Sequence, residues 1–363
     1  MAAKTKDELK GIGMLKADIR SEIASLIMSV QENFICLTGG RSLGKTYTVQ
    51  MGVIDYCYQN DMEFILVVET RDAKDSGALR QWVEKVTDEQ FNDYEFKFTS
   101  EHMYMKNAHK DEDWKRIGVC IPLTKAIAYK RNTYPHCRFI IMDEAILADG
   151  QYMDAYMDWF LTIYQTADKE RNVIKAILIG NTMQKINPIY EFFDITVSDL
   201  KKVGLVKRGV NKYFWYIPTP PDLEKSDDNI FRKMIAGTKY GDMANGKFNT
   251  EYGYLIQSPK EGTQVYQNYG MWLGDRTCVQ ILECDDGFFY AESVPEEHML
   301  EYCNPIFTTT YKKATSEYPL IPQWFIDNIK RTLSTGLFKF IDEEALLVIS
   351  SKFKAVLHIN IQV

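Results

Sequence analysis

Eight consecutive residues, Gly39-Gly40-Arg41-Ser42-Leu43-Gly44-Lys45-Thr46, fit G-x-x-x-x-G-K-[ST] in full. A loop of this kind turns backbone N–H groups inward, and the helix after it adds partial positive charge, so the site suits a triphosphate. Lys45 is placed to reach the β- and γ-phosphates and Thr46 to hold Mg²⁺. The candidate nucleotide-binding set therefore runs from Gly39 through Thr46 and includes Tyr47 directly after it.

A second stretch, Arg138-Phe139-Ile140-Ile141-Met142-Asp143-Glu144-Ala145, is an apolar run ending in two acids, the Walker B pattern. Asp143 would bind Mg²⁺, directly or through water, and Glu144 would position and polarise an attacking water. The adjacent glutamate directs the reading towards ATP hydrolysis and away from small-molecule kinases, which activate no water. A third stretch, Gly180-Asn181-Thr182, closes another apolar run, where Asn181 and Thr182 are candidates to sense the γ-phosphate; an ordinary strand-end turn is the alternative. Ring ATPases often complete a site with an arginine from the next subunit. Arg171, just before that run, is the trans candidate and Arg41, inside the loop, the cis one.

These residues need a sheet to hold them. Phe34–Leu37, Glu63–Val68, Phe139–Met142 and Val173–Ile179 are nearly continuous apolar runs, as a parallel sheet buried on both faces requires. Val49, Val53, Ile54 and Cys57 mark a helix after the glycine loop. Ile19, Ile23, Leu26, Ile27 and Val30 mark an N-terminal helix beside it. Helices are also expected over Ser76–Val86 and residues 151–168, and β-rich decoration from Phe96 to Leu123 with a turn at residues 107–113. Arg71, at a strand end, reads equally as a phosphate or DNA contact and as a surface arginine. Lys130 and Arg131 read equally as a DNA or subunit contact and as a solvated face.

The 363 residues and a net charge of −7 describe an ordinary soluble chain of two domains, with ample length for a core. The mild acidity argues against a protein that coats nucleic acid, though not against a local basic channel. The seven cysteines form no C-x-x-C pair and share no ligand spacing with the five histidines, so a zinc site is not expected. No run approaches the roughly 18 apolar residues of a membrane helix. The expected location is a reducing cytoplasm.

From Asp199 the composition changes. Lys201, Lys202, Lys207, Arg208 and Lys212 form a basic run that precedes Tyr213-Phe214-Trp215-Tyr216. Such a mixture suits a nucleic-acid strand or a partner surface, or more plainly a strand followed by a linker. The domain reading is 1–198 for the nucleotide domain, 199–240 for a linker and 241–363 for an α+β domain. In the last, a hairpin is expected around Asp285-Asp286-Gly287, a helix over Pro322–Leu333, and strands at Phe338–Phe340, Leu346–Ile349 and Val356–Ile361.

Taken together, Gly39–Thr46 with its arginine after the glycines, the Asp143-Glu144 pair and the Gly180-Asn181-Thr182 turn resemble the genome-packaging (encapsidation) ATPases of phi29-like phages, relatives of the viral large terminases. The resemblance implies an α/β P-loop fold of the ASCE, RecA-like type. It also implies a vestigial RNase H-like nuclease domain at the C-terminus. The activity implied is ATP hydrolysis with Mg²⁺, coupled to moving double-stranded DNA. The partners implied are the portal (connector) of a prohead in the host cytoplasm, a homo-oligomeric ring, expected to be a pentamer, and in some such motors a structural RNA. A trans arginine at Arg171 is expected, with Lys130 as a further residue acting across the interface. No acid stands on the first strand of the C-terminal domain, around Gln267–Trp272, so no two-metal site and no nuclease activity are expected.

Three rivals are weaker. A GTPase would carry N-K-x-D, and the near match Asn211-Lys212-Tyr213-Phe214 lacks the acid. A helicase would need a second motor lobe. A nucleotide-gated binding protein that does not turn over would have no use for Glu144.

Overall fold

The computed structural model describes residues 16–147, 152–153, 155–181, 185, 187–196, 199–202, 204–219, 234, 255–273, 277–310, 313–346 and 348–349. The chain divides into two units, Met1–Asn249 and Thr250–Val363.

In the first unit the apolar runs become strands. These are β1 (Phe34–Gly39), β2 (Glu63–Val68), β3 (Tyr94–Phe98), β4 (His102–Asn107), β5 (Lys115–Pro122), β6 (Cys137–Met142), β7 (Lys175–Asn181), β8 (Val206–Gly209) and β9 (Lys212–Ile217). They make one sheet in the order β3-β4-β5-β2-β6-β7-β1-β9-β8. From β5 to β9 all neighbours run parallel. The β3–β4 hairpin and β8 close the two edges with antiparallel pairs. The expected decoration from Phe96 to Leu123 is thus partly integral, since β5 pairs with β2 from Phe64↔Gly118 to Val68↔Pro122.

Side chains alternate between the two faces of each strand, so both faces carry a core. Ile35, Leu37, Phe64, Leu66, Phe139 and Ile141 pack against α1 (Lys16–Ser29), α2 (Lys45–Gln59) and α4 (Ala78–Gln90), which follows the short α3 (Arg71–Asp75). Cys36, Ile65, Val67, Ile140 and Met142 pack against α5 (Ala126–Tyr129), α6 (Tyr156–Asp168) and α7 (Pro188–Phe192). Each large apolar side chain buried this way contributes roughly 1.5–3 kcal/mol. Because β7 lies between β6 and β1, the tip of β7 is set between the glycine loop and the two acids.

The structure corrects the expected linker. β9 pairs in parallel with β1 from Phe34↔Lys212 to Gly39↔Ile217. Phe214 and Tyr216 fill one core, and Tyr213, Trp215 and Ile217 the other. A boundary at 198 would cut two strands from the sheet; the first unit runs to Asn249. The plainer reading of this stretch as a strand holds, and its aromatic side chains serve both faces of the sheet.

In the second unit, β10 (Val265–Leu273), β11 (Thr277–Cys284) and β12 (Phe289–Ser293) form an antiparallel meander. The expected Asp285-Asp286-Gly287 turn joins β11 to β12, with Gly287 N donating to Cys284 O. After α8 (Glu296–Tyr302), β13 (Ile306–Thr308) runs parallel beside β10. After α9 (Gln323–Ser334), β14 (Phe338–Phe340) runs parallel beside β12. The sheet order is β13-β10-β11-β12-β14. β13 is thus a fourth strand parallel to the first of the meander, and β14 extends the opposite edge.

The strand expected at Leu346–Ile349 is instead helical at residues 343–346, 348 and 349. The Asp342 carboxylate accepts from Ala345 N at 2.8 Å, which caps the first turn, and Glu343 and Glu344 suit that end of a helix. The expected strand Val356–Ile361 lies outside the described residues.

Candidate active site

The site is built where β1, β7 and β6 end. β1 delivers the chain to Gly39, where an added Cβ would stand 2.6 Å from the Ile217 carbonyl oxygen, backbone that cannot give way. Gly44 precedes α2 with φ of 85°, a conformation a side chain disfavours, and an added Cβ there would meet Arg20 of α1. α2 then begins at Lys45 with no side-chain cap and no acid in its first turn, so its N-terminal N–H groups are left for an anion. Arg20 also lies over the Tyr47 ring, 5.5 Å from its centroid. The N-terminal helix therefore touches the loop, as its expected position beside the nucleotide domain required.

Lys45 is buried at 5% exposure. Its Nζ donates to Gly40 O at 2.8 Å, Gly39 O at 3.2 Å and Asn181 Oδ1 at 3.3 Å. Burial pulls its ammonium down to about 8; Asp143 opposes that shift and Arg41 adds to it. Asn181, paired with Gly39 across β1 and β7, thus reaches the loop lysine. Thr182 lies outside the described residues.

Asp143 follows β6 and receives four residues' attention. Thr46 Oγ1 donates to its Oδ1 at 3.0 Å, and Glu144 N donates to the same oxygen at 2.9 Å. Trp82 Nε1, from α4, donates to Oδ2 at 3.0 Å. Burial pushes the carboxyl up, while the hydrogen bonds from Trp82, Thr46 and Glu144 N and the charge of Lys45 pull it back. Glu144 has φ of 52°, unusual for a residue other than glycine, and its side chain is exposed just past the C-terminal end of β6. The backbone there is pinned by Ala145 N donating to Ile179 O at 2.9 Å. Trp82 escaped the reading of the sequence: in α4 it looked like one more apolar residue beside Leu79 and Val83, and only the indole N–H was a hint.

Arg171 stands apart from its own chain's loop. Arg171 lies at the start of β7, the opposite strand end from Asn181. Its guanidinium donates to the carbonyls of Ala167, Asp168, Tyr134 and Pro135. Lys130 is exposed at the end of α5, in the segment that leads to Tyr134. Arg71 pairs with Asp75 at 3.2 Å on the surface.

The basic run is largely neutralised by acids the fold supplies. Lys207 bonds Asp199 at 2.8 Å, Lys212 bonds Asp194 at 3.3 Å and covers the Phe192 ring, and Arg208 bonds Glu32 at 3.0 Å. Lys202 stands 3.9 Å from Asp199 and, like Lys201, is exposed. A five-residue basic surface is therefore not what the fold presents.

Comparison with known proteins places this geometry. The DNA packaging protein of Bacillus phage phi29 is 25% identical over 254 residues, 66% of this chain and 71% of that protein. The DNA packaging protein of Bacillus phage B103 is 25% identical over 267 residues, 70% and 77% of the two chains. In fold, the chain is similar to one in the bacteriophage Phi-29 viral genome packaging motor assembly, with a TM-score of 0.63, 18% identity and coverage of 92% and 97%. A chain of the Phi-28 gp11 DNA packaging motor gives 0.58, 15%, 91% and 96%. The sequence model of the Podovirus DNA encapsidation protein (Gp16) family matches residues 24–323, most of the chain, and the protein belongs to that family.

Proposed function

We propose that this phage DNA-encapsidation protein is the ATP-hydrolysing subunit of a ring, a pentamer at the prohead portal in the host cytoplasm, that drives double-stranded DNA inward. The observation that carries the proposal is the convergence of Lys45, Thr46, Asp143, Asn181 and Glu144 at the ends of three adjacent parallel strands.

The donors fit a magnesium-bound triphosphate. Thr46 Oγ1 and Asp143 Oδ1 are hard oxygen ligands 3.0 Å apart, beside an uncapped helix N-terminus. Those two residues would hold Mg²⁺, which when bound neutralises charge on the β- and γ-phosphate oxygens. Lys45 exchanges the carbonyls of Gly39 and Gly40 for phosphate oxygens. Glu144 orients water and accepts its proton. Asn181, bonded to Lys45, links the phosphate end of the site to β7. Arg171, at the opposite strand end from this chain's own loop, and the exposed Lys130 act on the site of a neighbouring copy; Arg41 serves in cis.

DNA contact should fall mainly on phosphates, with Lys201 and Lys202 the exposed members of the basic run. The second unit acts in docking and not in cleavage: β10 carries no acid, and its Asn268 spends its amide on Gln280 of β11.

The test is hydrolysis by full-length protein with DNA and Mg²⁺. Glu144→Gln should bind nucleotide and stop turning over; equal turnover by both proteins would refute the motor reading. Mixing Arg171→Ala with Glu144→Gln subunits should restore part of the activity, because one interface then pairs an intact Glu144 with an intact Arg171.

A further inference from the structure

We infer that Trp82 is a positioning residue for Asp143, holding its carboxylate turned so that one oxygen faces Thr46 and the metal position; this rests on the reading of Asp143 as a metal ligand. The two carboxylate oxygens have different partners. Oδ1 takes Thr46 Oγ1 and Glu144 N, while Oδ2 takes the indole N–H of Trp82 at 3.0 Å. Donors on both oxygens stop the carboxylate from rotating about its bond to Cβ.

An indole N–H is a donor and nothing else, so it can orient an anion but cannot itself take a cation. Trp82 is in turn held from two sides. The Gln50 amide donates to its backbone carbonyl, and its ring packs against Phe64 at 5.7 Å between centroids. Gln50 lies one turn beyond Thr46 on α2, on the same face. One face of α2 therefore supplies both the hydroxyl beside the metal position and the anchor for the residue that aims the acid. A phenylalanine would keep an aromatic ring against Phe64 but fill less of the place, and it lacks the donor.

The test uses full-length protein and a fluorescent ADP, titrated in EDTA and over a Mg²⁺ series. Trp82→Phe should bind the probe in EDTA as wild type does. Its half-saturating Mg²⁺ should rise about tenfold, the lower end of what losing a partner to a ligating group costs. Replacing Trp82 by 3-benzothienylalanine, which keeps the ring shape and removes the N–H, should give the same shift, and it carries the test if Trp82→Phe does not fold. An unchanged Mg²⁺ requirement in the benzothienyl protein overturns the inference. So does an equal loss of affinity in EDTA and in Mg²⁺, which would mean a general packing role. Asp143→Asn separates the two readings. If it abolishes the Mg²⁺ enhancement while the Trp82 variants leave it intact, Asp143 stands as ligand and Trp82 does not position it. If it leaves the enhancement intact, both readings fall.

Discussion

The two units each hold a polar cluster on a sheet, and the clusters are built on opposite principles. In the first unit Lys45, Asp143 and the exposed Glu144 are ionisable, and Lys45 and Asp143 are held by partners that a ligand can replace: loop carbonyls for Lys45, a hydroxyl for Asp143. In the second unit the donors and acceptors satisfy one another. Asn268 Nδ2 donates to Gln280 Oε1 at 3.2 Å, Gln280 Nε2 donates to Glu292 Oε2 at 2.6 Å, His298 Nε2 lies 3.2 Å from the same Gln280 oxygen, and Cys303 Sγ donates to Asn268 Oδ1 at 3.3 Å. The first arrangement keeps charge and exchangeable partners at a strand edge. The second consumes its polar capacity in cohesion beneath α8. A site and a structural network thus differ less in residue types than in whether partners are left to be exchanged.

The largest effect should come from the exposed acid of the first cluster. Glu144→Gln is expected to lower the hydrolysis rate by about 10²–10⁴-fold, the range for loss of a general base, with nucleotide affinity retained. Steady-state turnover alongside equilibrium binding checks both halves.

In the second cluster, Gln280→Glu would set a new carboxylate against Glu292, at a buried position. Thermal or denaturant unfolding should show a loss of about 1–3 kcal/mol, with no DNA cleavage gained in Mg²⁺ or Mn²⁺. Cleavage appearing in this variant would break the contrast between the two clusters.

The contrast also has a pH signature. Lys45 is charged below about 8 and loses its proton as pH rises through that value. Nucleotide affinity should be full near pH 7 and fall by up to about tenfold towards pH 9. Stability should move the other way, rising from about 8 towards the ordinary lysine range, because there the unfolded chain binds a proton that the folded chain does not. A flat affinity profile in fluorescent-nucleotide titrations would contradict the assignment of Lys45.

The smallest effect concerns the basic run. Lys207→Ala removes a half-exposed pair with Asp199, so it should cost about 0.5–1 kcal/mol of stability. Its effect on DNA binding should be weaker than that of Lys201→Ala and Lys202→Ala together, as measured by filter binding across salt concentrations.

The glycine loop, the acidic pair and most strands of the sheet were legible in the sequence because each depends on neighbours in the chain. Eight residues contain the whole of the proposed phosphate cradle, and an apolar run declares a doubly buried strand without reference to its partners. Even the missed helix after Asp342 left a local sign, an acid followed by two more, which a reading for apolar alternation passed over. Other features had no local sign. Whether Lys207, Arg208 and Lys212 face DNA or acids depends on Asp199, Glu32 and Asp194, and Glu32 is distant in the chain. That β9 belongs beside β1 is a question of pairing. That Asn181 reaches Lys45 and Trp82 reaches Asp143 follows from strand order and helix packing. Local chemistry named the parts that meet a phosphate. Long-range packing alone decided what holds those parts, because a hydrogen bond between residues far apart in sequence exists only once the sheet has set their distance.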